Sequence, residues 1–350
     1  MFSRRLLRLT PYTAGEQPQD RRYIKLNTNE NPYPPSPAIE EFLRTVDIGR
    51  LRLYPDPLAL ELRTIIAERY GVQADEVFVA NGSDELLSFI FYAFFDGENG
   101  DLLFPEYTYS FYPVYCDFYG IPYQTIPLLP DFSVDVKAFS AVAHSSGIVF
   151  PNPNAPTGIA VPAASIHDLL DSYRSQVVAL DEAYVDFGTE SALKFHGEHE
   201  NLIIVRTLSK SMSLAGIRLG FSIQSPELTS SLFMVKDSFN SYPVDFLAQK
   251  IASLAFRDPG YYDSITRKIV QTREIFTASL KDLGWEVLPS KANFVFARRP
   301  GLEGEAVYER LKEKGILVRH FRKGKIKDFV RITIGTDDEM AVLLDAAKGL

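Results

Sequence analysis

Short unbroken apolar runs alternate along this chain with segments of helical periodicity. "VFVA" (77–80) precedes a helix expected from Asp84, and "DLLF" (101–104) precedes another helical segment. "GIVF" (147–150) leads into "PNPNAPTG", "VVAL" (177–180) into "DEAYVDF", and "NLIIV" (201–205) into "RTLSK". Runs without polar alternation suit strands buried on both faces. Their interleaving with helices predicts an α/β fold with a mostly parallel sheet flanked by helices. The first long helix is expected with Asp56 as N-cap and Pro57 in its first turn. Leu58, Leu62, Ile65, Ile66 and Arg69 form its stripe, and Gly71 closes it. "NENPYPPSP" (29–37) is too rich in proline for a helix or central strand.

Beyond about residue 255 the texture changes. The amphipathic "ITRKIVQTREIFTASLKDLG" (265–284) is followed by strand-like "NFVFARR", helical "GEAVYERLKEKG", then "ILVRHF" and "FVRITIG". This predicts a large domain over 45–255 and a smaller α+β domain assembled from 1–44 and 256–350.

Composition narrows the function classes. With 46% hydrophobic and 23% charged residues the 350-residue chain is of ordinary globular type. A net charge of −8 argues against a general nucleic-acid binder. No run approaches the roughly 18 apolar residues of a membrane span, and "MFSRRLLRLTPY" lacks the apolar core of a secretory signal. Cys116 is the single cysteine, so no internal disulfide forms; that fits a reducing cytoplasm, with Cys116 as a packing residue. No metal site is expected: His196 and His199 in "HGEHE" lie in a polar stretch without further ligands.

In open α/β sheets ligands gather at the carboxyl ends of the strands. After "VFVA" the turn "NGSDE" offers the N–H groups of Gly82, Ser83 and Asp84 to a phosphate. Ser209 and Arg218 add a hydroxyl and a fixed cation for the same group. Asp181 can keep a heteroaromatic nitrogen protonated, and Tyr184 and Asn154 can hydrogen-bond a phenolic oxygen. Tyr107 offers a flat ring for stacking, with Tyr109 as the alternative in the same motif. Lys210, beside Thr207 and Ser209, supplies an amine for a Schiff base. Singly these residues read as a capped helix, a turn and a surface lysine. Together they match the phosphate, pyridine nitrogen, ring oxygen and aldehyde of pyridoxal 5′-phosphate.

"NAPTG", "DEAYVDF" and "TLSKSMSLAGIRLGF" resemble the motifs of fold-type I pyridoxal-phosphate-dependent aminotransferases. "RLTPY", "KLNTNENP", "YPDP", "PEYTY" and "VRITIGT" narrow the resemblance to the histidinol-phosphate aminotransferase family. The resemblance implies a fold-type I transferase acting on L-histidinol phosphate and on glutamate or 2-oxoglutarate. It implies Lys210 as the Schiff-base lysine, Asp181 on the pyridine nitrogen, and Tyr184 with Asn154 on the ring oxygen. Tyr107 would stack, and Gly82, Ser83, Asp84, Ser209 and Arg218 would hold the phosphate with Thr207 nearby. Tyr54 would reach the cofactor of a neighbouring subunit, which requires a homodimer. Arg319, Arg331, Tyr12 and Asn29 would meet the substrate. Arg331 alternates with Val330 and Ile332, so it leaves its strand on the polar face. Two departures stand out: Ser83 where alanine is common, and a longer basic loop over 319–331. An aromatic or broad-specificity aminotransferase is the alternative within the same chemistry.

Overall fold

Three sheets carry the architecture of the computed structural model, which describes residues 2–3, 6–13 and 15–350. The strands are β1 (Ile24–Lys25), β2 (Val77–Ala80), β3 (Asp101–Pro105), β4 (Tyr123–Ile126), β5 (Ser145–Pro151), β6 (Val177–Asp181) and β7 (Leu202–Thr207). They continue with β8 (Gly220–Ile223), β9 (Glu286–Val287), β10 (Phe294–Arg298), β11 (Ile316–Leu317), β12 (Arg319–His320) and β13 (Val330–Thr333). The seven-stranded sheet has the order β2-β8-β7-β6-β5-β3-β4. Its strands are parallel except β8, which runs antiparallel to both neighbours. The apolar runs of the sequence form five of these strands. The edge strand β4 and the antiparallel β8 carried no such signal, because β4 is largely exposed and β8, Gly220–Ile223, is a short "GFSI" that starts inside the "GIRLGF" motif.

The reason for continuous apolar runs is visible in the packing. Ile148, Phe150, Val178, Leu180, Leu202 and Ile204 face one layer with the Ala163–Ser172 helix. The alternating Val149, Ala179, Ile203 and Val205 face the layer of the Gly82–Phe94 and Tyr112–Tyr119 helices, which includes Cys116. Both faces are covered, so neither tolerates a polar alternation. Burial of each such side chain contributes roughly 1.5–3 kcal/mol.

The expected helix after Asp56 forms one turn late. It spans Leu60–Tyr70, and Ala59 enters it in a left-handed conformation with φ 45°. The Asp56 carboxylate still accepts from the N–H groups of Leu58 (3.0 Å) and Leu60 (2.8 Å), so it closes the preceding turn. Leu62, Ile65 and Ile66 are buried, whereas Leu58 and Arg69 are exposed. Arg63, the unexpected buried residue, donates to the carbonyls of Val77 and Ala74. Gly71 closes the helix at φ 70°.

The second sheet has the order β12-β13-β10-β9, all antiparallel. It packs on the Pro259–Asp282 helix through Ile269, Phe276 and Leu280, and on the Asp337–Lys348 helix through Met340 and Leu343. β1 pairs in parallel with β11, which brings the N-terminal segment beside this sheet. No helix among the described residues is long and apolar enough to cross a membrane.

Candidate active site

β2, β6 and β7 end at a common cleft of about 280 Å³, lined by Ser83, Asp84, Tyr109, Asp181, Tyr184, Thr207, Ser209, Lys210 and Arg218, with Thr28 and Glu30 on its rim. The helix after β2 begins at Gly82, two residues before Asp84. Its first-turn N–H groups have no intrahelical acceptor and make an anion cradle. A side chain at Gly82, where φ is 83°, would stand 2.6 Å from Nη2 of Arg218. At Gly220 of β8 a Cβ would meet the backbone N of Ser83 at 2.5 Å. Both glycines let the cradle, its cation and the antiparallel strand close on one another.

Asp84 has a different part from the one its position suggests. Its carboxylate accepts from the Tyr109 hydroxyl (2.6 Å) and from Arg218 Nη2 (3.1 Å). A carboxylate would repel a phosphate, so only the backbone N–H of Asp84 suits that ligand. The side chain instead orients Arg218, itself at φ 56°, and the Tyr109 ring. Tyr109 lines the cleft and Tyr107 does not. The Tyr107 ring is buried with Ile326 and Phe329, and its hydroxyl accepts from the Lys325 N–H at 3.0 Å. Of the two rings weighed for stacking, Tyr109 is therefore the one that faces the cleft, because Asp84 holds it there and the 324–329 turn holds Tyr107 away.

Asp181 ends β6 and is almost fully buried. Burial pushes its carboxyl up to about 6; Asp84 adds to the rise, while the Ala183 N–H, the Tyr112 hydroxyl and Lys210 oppose it. Such a group gains most from a cation beside it, which a protonated ring nitrogen supplies. Lys210 Nζ donates to the Thr28 carbonyl at 3.3 Å and lies 5.8 Å from the Tyr184 ring centre. Asn154 lies beneath the cleft floor formed by Pro151 and Ala155. Its Nδ2 donates to the Tyr107 carbonyl and to Thr157 Oγ1, leaving Oδ1 buried without a partner among the described residues. A protonated phenolic oxygen would satisfy that acceptor. Cradle, cation, buried carboxyl, orphaned acceptor and amine together fit the cofactor implied by the resemblance.

Asn29 is not where a substrate would reach it. It is 1% exposed, donates from Nδ2 to the Tyr184 hydroxyl (2.9 Å), and accepts at Oδ1 from Thr333 (3.1 Å). It positions Tyr184 from behind. Arg319 and Arg331 stand directly opposite each other on β12 and β13. Like charges so paired are destabilising unless an anion joins them. Arg331 Nη2 donates to the Asn27 carbonyl, its Nε is buried without a partner among the described residues, and the guanidinium lies over Phe294 and Phe321. Burial lowers its pKa, the negative form of Tyr184 would raise it, and Arg319 lowers it further. Arg319 donates to the Thr13 carbonyl next to Tyr12, whose ring lies 4.6 Å from Phe111. Tyr54 is 83% exposed, stacks on Tyr242 at 4.7 Å, and does not line the cleft of its own chain.

Sequence reasoning missed Tyr112, which hydrogen-bonds Asp181, and the buried network of Arg206, Glu182, Asp186 and Ser211 behind the cleft. Tyr112 lies outside the quoted motifs, and the other four lie inside them with nothing local to show that they bond to one another. It also left His199 without partners, whereas the fold brings His167 and Glu198 to it; His196 instead meets Glu76 at 2.9 Å.

The chain matches the family described as aminotransferase class I and II over residues 21–346. It is 57% identical to the histidinol-phosphate aminotransferase of Syntrophus aciditrophicus (strain SB), covering 100% of this chain and 98% of that one. It is 48% identical to the histidinol-phosphate aminotransferase of Pseudomonas entomophila (strain L48), covering 97% of each. In fold it is similar to the crystal structure of histidinol-phosphate aminotransferase from Sinorhizobium meliloti in complex with pyridoxal-5′-phosphate, with TM-score 0.85, 24% identity, and 94% and 91% of the two chains covered.

Proposed function

The chain belongs to the class I and II aminotransferases, and from that premise we propose that it is a pyridoxal-phosphate-dependent enzyme that moves an amino group between L-histidinol phosphate and 2-oxoglutarate. The observation that carries this reading is the meeting of Lys210, Asp181 and the Gly82–Arg218 cradle at one cleft. Relatives named for this reaction at 57% and 48% identity over nearly the whole chain support the substrate.

The cofactor, when bound, supplies an electron sink for the pair left as a substrate C–H bond breaks. Everything else is done by the chain. The N–H groups of Gly82, Ser83 and Asp84, the Ser209 hydroxyl and Arg218 hold the phosphate, with Thr207 bracing Ser209 through a 3.0 Å hydrogen bond. Tyr109 would cover the ring, and Asp181 would keep a positive charge on its nitrogen. Tyr184 and Asn154 would be the partners of its phenolic oxygen. Lys210 would supply the amine that holds the cofactor's aldehyde carbon, and once displaced that amine would be the base that takes the proton from the substrate carbon onto its own nitrogen. Arg319 and Arg331, with Tyr12, take the substrate anion, so a phosphate and a carboxylate can use one site.

The same reading makes the enzyme a cytoplasmic homodimer in which Tyr54 serves the partner's cofactor. Exposed Ile48, Tyr54, Met234 and Phe239 support an interface on that face. It also divides the chain into a large unit, 45–255, and a small one, 1–44 with 256–350. The seven-stranded sheet within the first range and the four-stranded sheet within the second support that division.

The test compares kcat/KM for histidinol phosphate, glutamate and phenylalanine in wild type and Arg331→Ala. Histidinol phosphate should lead in wild type. Loss of one charge-assisted contact should lower histidinol phosphate and glutamate alike by about ten- to hundredfold. Phenylalanine leading in wild type would replace the substrate assignment with an aromatic one, and unchanged kinetics in Arg331→Ala would remove Arg331 from the site.

A further inference from the structure

Away from the cleft, at the opposite end of β7, the fold assembles a second set of chemistry-bearing side chains. His167 comes from the Ala163–Ser172 helix, and Glu198 and His199 from the turn that feeds β7. One ligand atom from each of the three lies within 4.8 Å of the others. His199 is 3% exposed, and its Nδ1 is buried without a hydrogen-bond partner among the described residues. Packing alone accounts for two rings at right angles 5.4 Å apart, but not for a buried ring nitrogen left unpartnered.

A carboxylate also stands behind His167. Asp171, one helical turn on, lies 3.5 Å from Nδ1 of His167, while Nε2 of the same ring faces Glu198 at 3.8 Å. A carboxylate on one imidazole nitrogen with the other nitrogen aimed at a ligand cluster is the outer-shell arrangement of histidines that bind metal. Phe195 closes one side, its ring 4.9 Å from that of His167. We propose that His167, Glu198 and His199 bind a divalent transition-metal ion of the zinc type, oriented by Asp171, with a fourth position open to water. Two imidazoles and a carboxylate suit zinc rather than magnesium or calcium, which take oxygen ligands. Tetrahedral zinc bonds of about 2.05 Å put ligand atoms roughly 3.3 Å apart, so the 3.8 Å pair is near that spacing and the wider ones need a small inward move. The exposed Glu198 side chain has the freedom to make it.

The ion would staple the Ala163–Ser172 helix to the turn that starts β7, the strand that ends at Thr207, three residues before Lys210. The Leu202 N–H already donates to the His199 carbonyl at 3.2 Å, so an ordered His199 fixes where β7 begins. This is a structural role at a distance from the chemistry, and it stands whatever the amino donor proves to be.

The experiment uses the cofactor-loaded full chain, freed of metal by a chelator and titrated with zinc against a chromogenic competitor. Wild type should bind one zinc equivalent that raises Tm, and Asp171→Asn should weaken it about tenfold or more. Glu198→Gln and His167→Gln alter exposed or half-exposed side chains and should fold normally, yet lose the equivalent and the Tm rise. Absence of a bound equivalent in wild type, or equal affinity in wild type and both variants, would overturn the site. A Tm rise with magnesium equal to that with zinc would overturn the nitrogen-ligand assignment.

Discussion

Asp181 shows how burial can hold a single residue in an unfavourable state. Its pKa, about 6 in the fold, exceeds that of an unfolded aspartate because burial penalises the charge. A carboxyl raised in this way stabilises the fold fully below its unfolded pKa, and that contribution is lost as pH rises through about 6. The shift corresponds to about 3 kcal/mol at pH 7. Asp181→Asn should therefore make the cofactor-free chain more stable at pH 7 by up to about 3 kcal/mol, with the gain shrinking toward pH 4. The same variant should transaminate far more slowly. Denaturation of both cofactor-free proteins at pH 4, 5.5 and 7 checks this, and a difference that grows toward acid would refute the burial argument.

At the scale of elements, the ends of β6 and β7 are tied together behind the cleft by Arg206. Its Nη2 donates to Glu182 at 2.8 Å, next in sequence to Asp181; its Nη1 donates to Asp186 at 3.1 Å. Asp186 in turn accepts from the hydroxyl of Ser211, the neighbour of Lys210. Glu182 also accepts from the Ala192 N–H and the Ser191 hydroxyl. Truncation to Ala would strand Arg206, and breaking a buried pair by removing one partner commonly costs about 3–5 kcal/mol. Glu182→Ala should lose that much in urea unfolding and lower kcat through displaced Asp181 and Lys210, while Glu182→Gln should retain more of both. A loss below about 1 kcal/mol would mean that solvent replaces the network.

For the whole molecule the decisive question is whether two chains complete each site. Lys210→Ala removes the amine but keeps Tyr54, and Tyr54→Ala removes the ring but keeps Lys210. If Tyr54 serves the partner, a mixed dimer of the two variants has one site with both residues intact. Refolding an equimolar mixture should then recover activity up to about a quarter of wild-type sites, since half of randomly paired dimers are mixed. Activity of the mixture equal to the mean of the separate variants would place Tyr54 outside its partner's site.

The features of this protein that depend on neighbours along the chain are written in its amino-acid order. Apolar runs marked β5, β6 and β7 because each is covered on both faces, and "NGSDE" marked a helix N-terminus because cradle donors are consecutive. Asp181, Thr207, Ser209 and Lys210 were legible for the same reason: each ends or closely follows a recognisable strand, while Arg218 was legible through the "GIRLGF" motif, and all five line the cleft. Which partner each polar group chooses is settled in the folded arrangement alone. Asn29 lies 155 positions from the Tyr184 hydroxyl it holds, and Tyr107 lies 218 from the Lys325 N–H that draws it out of the cleft. The Asp84 carboxylate is claimed by Tyr109 and by Arg218, 134 positions away, and His167 reaches Glu198 from another element. Hydrogen bonds and ion pairs act over a few ångströms of space and are indifferent to separation along the chain, so only the folded arrangement shows which of several competent groups arrives first.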